Sequence, residues 1–235
     1  MLTSALSPHP RPPPEALVES LLDAGTLVRW LHLVSAAAFV GLAAALDWVL
    51  GPALLGPRGR GLLGRVGPML MLALRWTGAT AWVTGMVYGL GWLARQDPAG
   101  PLSWLSSNQR GQWIALAAGL ASVAVFLSWF LVSPCWEQLA AASAADAQGA
   151  SQRAGPDPRR WRQGAALGAR LTSALSLPLL FAMGAARHLG ETGADPPASF
   201  GPAATLVVVG GLAAGLVLGS AANALARRSL DAGPG

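Results

Sequence analysis

Lysine is absent from this chain, cysteine occurs once, and charge of either sign is sparse. Only 11% of the 235 residues are charged, against about 25% in an ordinary soluble domain. That deficit, beside 53% hydrophobic residues, points away from a water-soluble domain and toward the helical membrane class. The single Cys135 allows no internal disulfide, no CxxC zinc pair and no CxxCH haem attachment signal. At the end of an apolar run it reads as an inert packing residue. The 16 basic residues are all arginines. They are scattered through the intervening segments and not clustered with aromatics, so nucleic acid is excluded as a partner. No GxSxG, HExxH, phosphate loop or dinucleotide fingerprint is present. Histidine appears three times, as His9, His32 and His188.

What the sequence does contain is a series of long apolar runs. They predict an all-α integral membrane protein, a bundle of about five transmembrane helices with spans near 27–50, 67–93, 112–132, 163–188 and 200–225. Residues 1–26 form a proline-rich tail and a short amphipathic segment (15–25) that would lie on the membrane. Residues 138–148 read as a helix, 149–158 as a linker, and 226–235 as a terminal tail. Small residues spaced four apart predict close helix approach at Ala37, Gly41 and Ala45, at Gly85 and Gly89, and at Gly211, Gly215 and Gly219. Arginines concentrate after the first and third spans and at the C-terminus. The positive-inside rule then puts the N-terminus outside and the C-terminus in the cytoplasm.

This topology acts on the histidines. His32 lies early in a span that enters from outside, and His188 ends a span that travels outward. Both therefore fall near the outer face. Two imidazoles on separate helices suit the axial positions of a haem iron, held without covalent attachment. Gly184, four residues before His188, and Ala36, four after His32, leave room on the same helix faces for a macrocycle. Arg29 and Arg187 can pair with its propionates through the guanidinium fork. Two interfacial histidines meeting headgroups and water is the plainer alternative.

Nearer the cytoplasm, Asp47, Arg75 and Arg170 fall at similar depth and predict a structural ion pair, because an unpaired charge in lipid is costly. Trp76, Trp82 and Trp129 sit deep in their spans and predict core packing. Trp113 and Trp136 lie near span ends, where aromatic belts are usual. Pro178 predicts a kink in the fourth span.

Several of these segments together resemble the urate oxidase N-terminal domain family, the membrane part of bacterial urate hydroxylases. The resemblance is carried by Arg29-Trp30-Leu31-His32, by Arg75-Trp76 with Trp82, Thr84 and Gly85, and by Ser133-Pro134. The fullest match is the ordered run Arg170, Ser176, Pro178, Leu180, Phe181, Met183 and His188. It covers roughly residues 27–190. Thr172-Ser173 stands where the family has Asn-Thr, and the long inserted loop of the full-length enzymes is missing. The first helix is also similar to that of copper-resistance D-type proteins and membrane protoporphyrinogen oxidases. The resemblance implies a redox-linked, multi-pass protein of a bacterial inner membrane. It would use b-type haem as cofactor, act as an oxidoreductase and exchange electrons with a separate cytochrome c. A non-enzymatic accessory subunit of a larger respiratory or photosynthetic complex is the second expectation. A small-solute or metal carrier is the third.

Overall fold

The computed structural model describes residues 23–56, 59–96, 105, 109–147, 158–188 and 200–231. The amphipathic segment expected over 15–25 falls mostly outside them, as do the tail with His9 and the 149–157 linker.

Among the described residues the fold is entirely helical, with five long rods. Helix α1 runs Ala24–Ala45, passes through a π turn at Leu46–Leu50, and resumes at Gly51–Leu55. Its first turn is closed by Asp23, whose Oδ2 accepts the Gly25 and Thr26 backbone N–H at 3.0 and 3.3 Å. A carboxylate at this position satisfies donors that have no partner inside the helix. Helix α2 is Arg60–Gln96. Helix α3 comprises Gln109–Leu127, a second π turn at Ser128–Val132, and Ser133–Ala147. Helix α4 is Pro158–His188 and α5 is Phe200–Asp231. The α1, α3, α4 and α5 rods are long and apolar enough to cross a membrane.

The stretch expected to be helical over 138–148 is helical through Ala147. It continues α3, although Pro134 should interrupt it. The two π turns supply the reason. Each is followed at once by a residue and a proline, Gly51-Pro52 and Ser133-Pro134. The Gly51 N–H reaches Leu46 O, and the Ser133 N–H reaches Ser128 O. The wider turn lets the backbone absorb a ring that would otherwise clash with the preceding turn, and the proline becomes an early residue of the resumed helix.

Neighbouring helices run antiparallel. The space for a Cβ at Gly78 of α2 is taken by Phe39 of α1, and that at Gly67 by Ala140 of α3. Gly164 and Gly168 of α4 lie on Cys135 and Val132 of α3. The expected seam on α5 forms against two helices, Gly211 on Pro178, Gly215 on Ala174 and Gly219 on Asp47. By contrast, Gly41 and Gly89 have open space where a side chain would go, so among the described residues neither position is a close helix contact, although Gly85 of the second face is.

The main core gathers Phe39, Leu46, Met71, Leu74, Val132 and Trp136, and a second cluster surrounds Trp113 between α3, α4 and α5. Tryptophan burial reverses the expectation. Trp76 is 61% and Trp82 41% exposed, whereas Trp113 is 2% and Trp136 0% exposed. Burial here follows the face of the helix. Trp76 and Trp82 stand on the outward stripe of α2, while Trp113 and Trp136 point into helix junctions.

Candidate functional site

The polar groups of the bundle form two layers. The first begins with Asp47, which the π turn of α1 holds 4% exposed in the core. Arg170 of α4 approaches it, with Nε 3.9 Å from Oδ1. Gly219 of α5 closes the third side, so near that a Cβ there would lie 2.6 Å from Asp47 Oδ2. Arg75 does not join this group. It forks onto Glu137 of α3, with Nη1 to Oε1 at 2.8 Å and Nη2 to Oε2 at 3.2 Å. Its guanidinium also lies 5.7 Å from the centre of the Trp129 ring. Glu137 is thus a partner that sequence reasoning missed. It follows Ser133-Pro134, beyond the expected end of the third span at 132. Continuation of α3 brings it back beside α2.

The second layer is built on His32. Its Nδ1 lies 2.8 Å from the carbonyl oxygen of Ala81 on α2. A carbonyl only accepts, so Nδ1 carries the proton. In the neutral ring, Nε2 is then the bare nitrogen. The imidazole lies against Gly85, where a Cβ would meet Cε1 at 2.8 Å and Nδ1 at 3.0 Å. Any side chain at 85 would push the ring away. Thr84 Oγ1 donates to the same Ala81 carbonyl at 3.3 Å, and Ser35 Oγ donates to the Leu31 carbonyl at 2.6 Å. The hydroxyls beside the histidine are therefore satisfied locally, and the ring remains partly exposed.

The helix register relates His188 to this layer. Asp47 and Arg170 are level with each other on antiparallel helices. Fifteen residues lead from Asp47 back to His32 and eighteen from Arg170 on to His188, rises of about 22 and 27 Å toward the same end. Eighteen residues also make five full turns. Position 188 therefore shares the azimuth of Arg170, the stripe that faces α1 below. Along it Phe181 and Gly184 are exposed, and Gly184 has no atom within 4 Å of an added Cβ. The backbone of α4 is described through His188; the side chains of Arg187 and His188 lie outside the described residues. Arg29 is exposed one turn before His32 and borders a cleft between α1 and α2. Among the described residues no three His, Cys, Asp or Glu side chains converge as a metal-binding group.

No protein-family model, characterised protein or solved structure matches the chain.

Proposed function

We propose that the chain is a redox protein of the membrane that binds b-type haem at the outer end of the bundle, with His32 and His188 as axial ligands. The observation that carries this reading is the His32 contact with Ala81. Metal-bound histidines almost always donate their second ring nitrogen to a carbonyl or carboxylate, which fixes both tautomer and ring angle. The 2.8 Å bond from Nδ1 does this and leaves Nε2 as the donor atom. The open stripe at Phe181 and Gly184 leaves room beside α4 for a flat apolar group. Arg29, on the same turn of α1 as the histidine approach, offers a guanidinium to a propionate.

Bound haem would supply one-electron exchange. The chain's own residues would hold it, and the Ala81 carbonyl would fix the angle of the His32 ring through Nδ1. The resemblance to urate hydroxylase membrane domains is part of the same proposal. It gains support from where its motif residues fall, since His32 of the first motif rests on Gly85 of the second. An oxidoreductase exchanging electrons with a separate cytochrome c follows from that resemblance. The orientation proposed is five crossings of a bacterial inner membrane, N-terminus outside and C-terminus cytoplasmic.

The test is an absorption spectrum of protein purified after expression with added haem precursor. A Soret band that shifts on reduction is expected, and it should be lost in His32→Ala and His188→Ala. A colourless wild type, or a full spectrum retained in both variants, removes the proposal.

A second reading is an accessory subunit of a larger membrane complex. It is favoured by Gly41, Gly119 and Gly210, small positions where, among the described residues, nothing lies within 4 Å of an added Cβ. Fixed-stoichiometry co-purification with other membrane subunits, without colour, is its expected signature.

A further inference from the structure

One turn outward from the His32–Gly85 contact, α1 and α2 separate around a cleft of about 450 Å³. This lies within the roughly 300–1,000 Å³ typical of small-molecule sites. Its walls are largely apolar, with Val28, Val87 and Gly91 among them, and its polar side chains are Asp23, Thr26, Arg29 and Tyr88. Gly91 contributes space: an added Cβ there meets nothing within 4 Å. Leu27 and Leu31, both about half exposed, run along α1 beside the cleft into the apolar span.

We propose that this cleft binds the ring of a membrane-soluble quinone or hydroquinone. The chemistry selects that class. The ring is flat and apolar, with an oxygen at either end. Arg29 donates to a carbonyl oxygen. Tyr88 donates to a carbonyl or accepts from a hydroxyl. Asp23 has Oδ2 committed to the α1 cap, which leaves Oδ1 as an acceptor for a hydroxyl. A phosphate headgroup fits poorly, because the cap carboxylate would face a second anion and already occupies the helix N–H groups that would otherwise attract it. An isoprenoid tail follows Leu27 and Leu31 into the bilayer. The site goes beyond the haem reading and does not require it: Arg29, offered above to a propionate, is the one group the two share, and Gly91, Tyr88 and Asp23 belong to the cleft alone.

The experiment is a calorimetric titration of the whole chain in phosphatidylcholine nanodiscs with decylubiquinone, run on colourless and haem-loaded protein alike. Saturable binding near one per chain is expected. Gly91→Leu fills open space without displacing backbone and should weaken binding at least tenfold, with the unfolding temperature and any visible spectrum unchanged. Tyr88→Phe and Arg29→Gln, mild changes at exposed positions, should each weaken it severalfold. Binding that is non-saturable, or equal in the wild type and all three variants, overturns the site. Displacement of decylubiquinone by dimyristoyl phosphatidic acid also overturns it, in favour of a lipid phosphate. Loss of the Soret band in histidine variants is read separately, so failure of one proposal does not decide the other.

Discussion

His32 owes its tautomer to one carbonyl, and its angle to the missing side chain at residue 85. Gly85→Leu should therefore act on the ligand more than on the fold. The new side chain would enter the ring's position, 2.8 Å from Cε1, and the half-exposed imidazole would swing outward. The expected outcome is loss or broadening of the haem spectrum with near-normal helical circular dichroism. An unchanged spectrum would show that the ring's seat on α2 is irrelevant to binding. A second residue-level prediction concerns Arg75 and Glu137. The pair is bidentate but part-exposed, with 27% and 41% of the side chains accessible. Truncating one partner of a fully buried pair costs about 3–5 kcal/mol, and partial exposure lowers this to about 1–2 kcal/mol. Glu137→Gln should lower the unfolding temperature in detergent, whereas Arg75→Met with Glu137→Leu together should recover most of the loss. If the double variant is no better than the single, the cost comes from packing against Trp129 and not from an orphaned charge.

At the scale of helices, glycine spacing in the sequence announced several faces, and the structure uses them unequally. Gly211, Gly215 and Gly219 seat α5 on α4 and on Asp47, while Gly41 stays open. Spacing alone could not separate these cases, because a small residue permits close approach without requiring it. The difference should be measurable. Gly215→Val places a Cβ 2.6 Å from the Ala174 Cα, so α5 must move, at a cost of about 1–3 kcal/mol for overpacking. Gly210→Val, with open space around it, should stay within about 0.5 kcal/mol. Equal unfolding temperatures for the two would mean that α5 is not held by this seam. The same reasoning marks what was legible in the chain. Long apolar runs with few charges gave the helices, and Asp47, late in the first span, falls at one depth with Arg170, early in the fourth. Glu137 was hidden because Pro134 signals a helix end, and only the preceding π turn lets α3 continue. The burial of Trp113 and Trp136 was hidden for a similar reason: depth in a span can be counted from sequence, but the face presented to other helices depends on packing.

For the molecule as a whole, everything proposed for the histidines turns on whether α2 crosses the membrane. It is the long helix that falls short in bulk hydropathy, since four other rods meet that standard. Hydropathy counts a polar group as if it met lipid. In α2 the polar groups are met by protein: Arg75 by Glu137, Trp82 Nε1 by Ser122 Oγ at 2.9 Å, and the Thr77 and Thr84 hydroxyls by carbonyls of their own helix. Such partners offset much of the cost that polar groups carry in lipid. Helix α2 also lies antiparallel to α1, from Phe39 on Gly78 to His32 on Gly85, and a helix packed along a span shares its depth. If α2 crosses, the segments 97–108 and 148–157 lie on opposite sides, with 97–108 outside, and both ends carrying His32 and His188 face outward. If α2 stayed on the cytoplasmic side, 97–108 would be cytoplasmic and 148–157 external. The crossings that remain would still alternate, so His188 would end on the inner side, away from His32, and α4 would have to run parallel to α1, against the antiparallel pairing that sets Arg170 beside Asp47. With Cys135 buried, single cysteines introduced by Ser106→Cys and Ser151→Cys can be read with a membrane-impermeant maleimide on intact cells. Labelling at 106 alone, with 151 labelled only after permeabilisation, is the expected pattern. The reverse pattern would part the two imidazoles across the bilayer and leave no shared haem site.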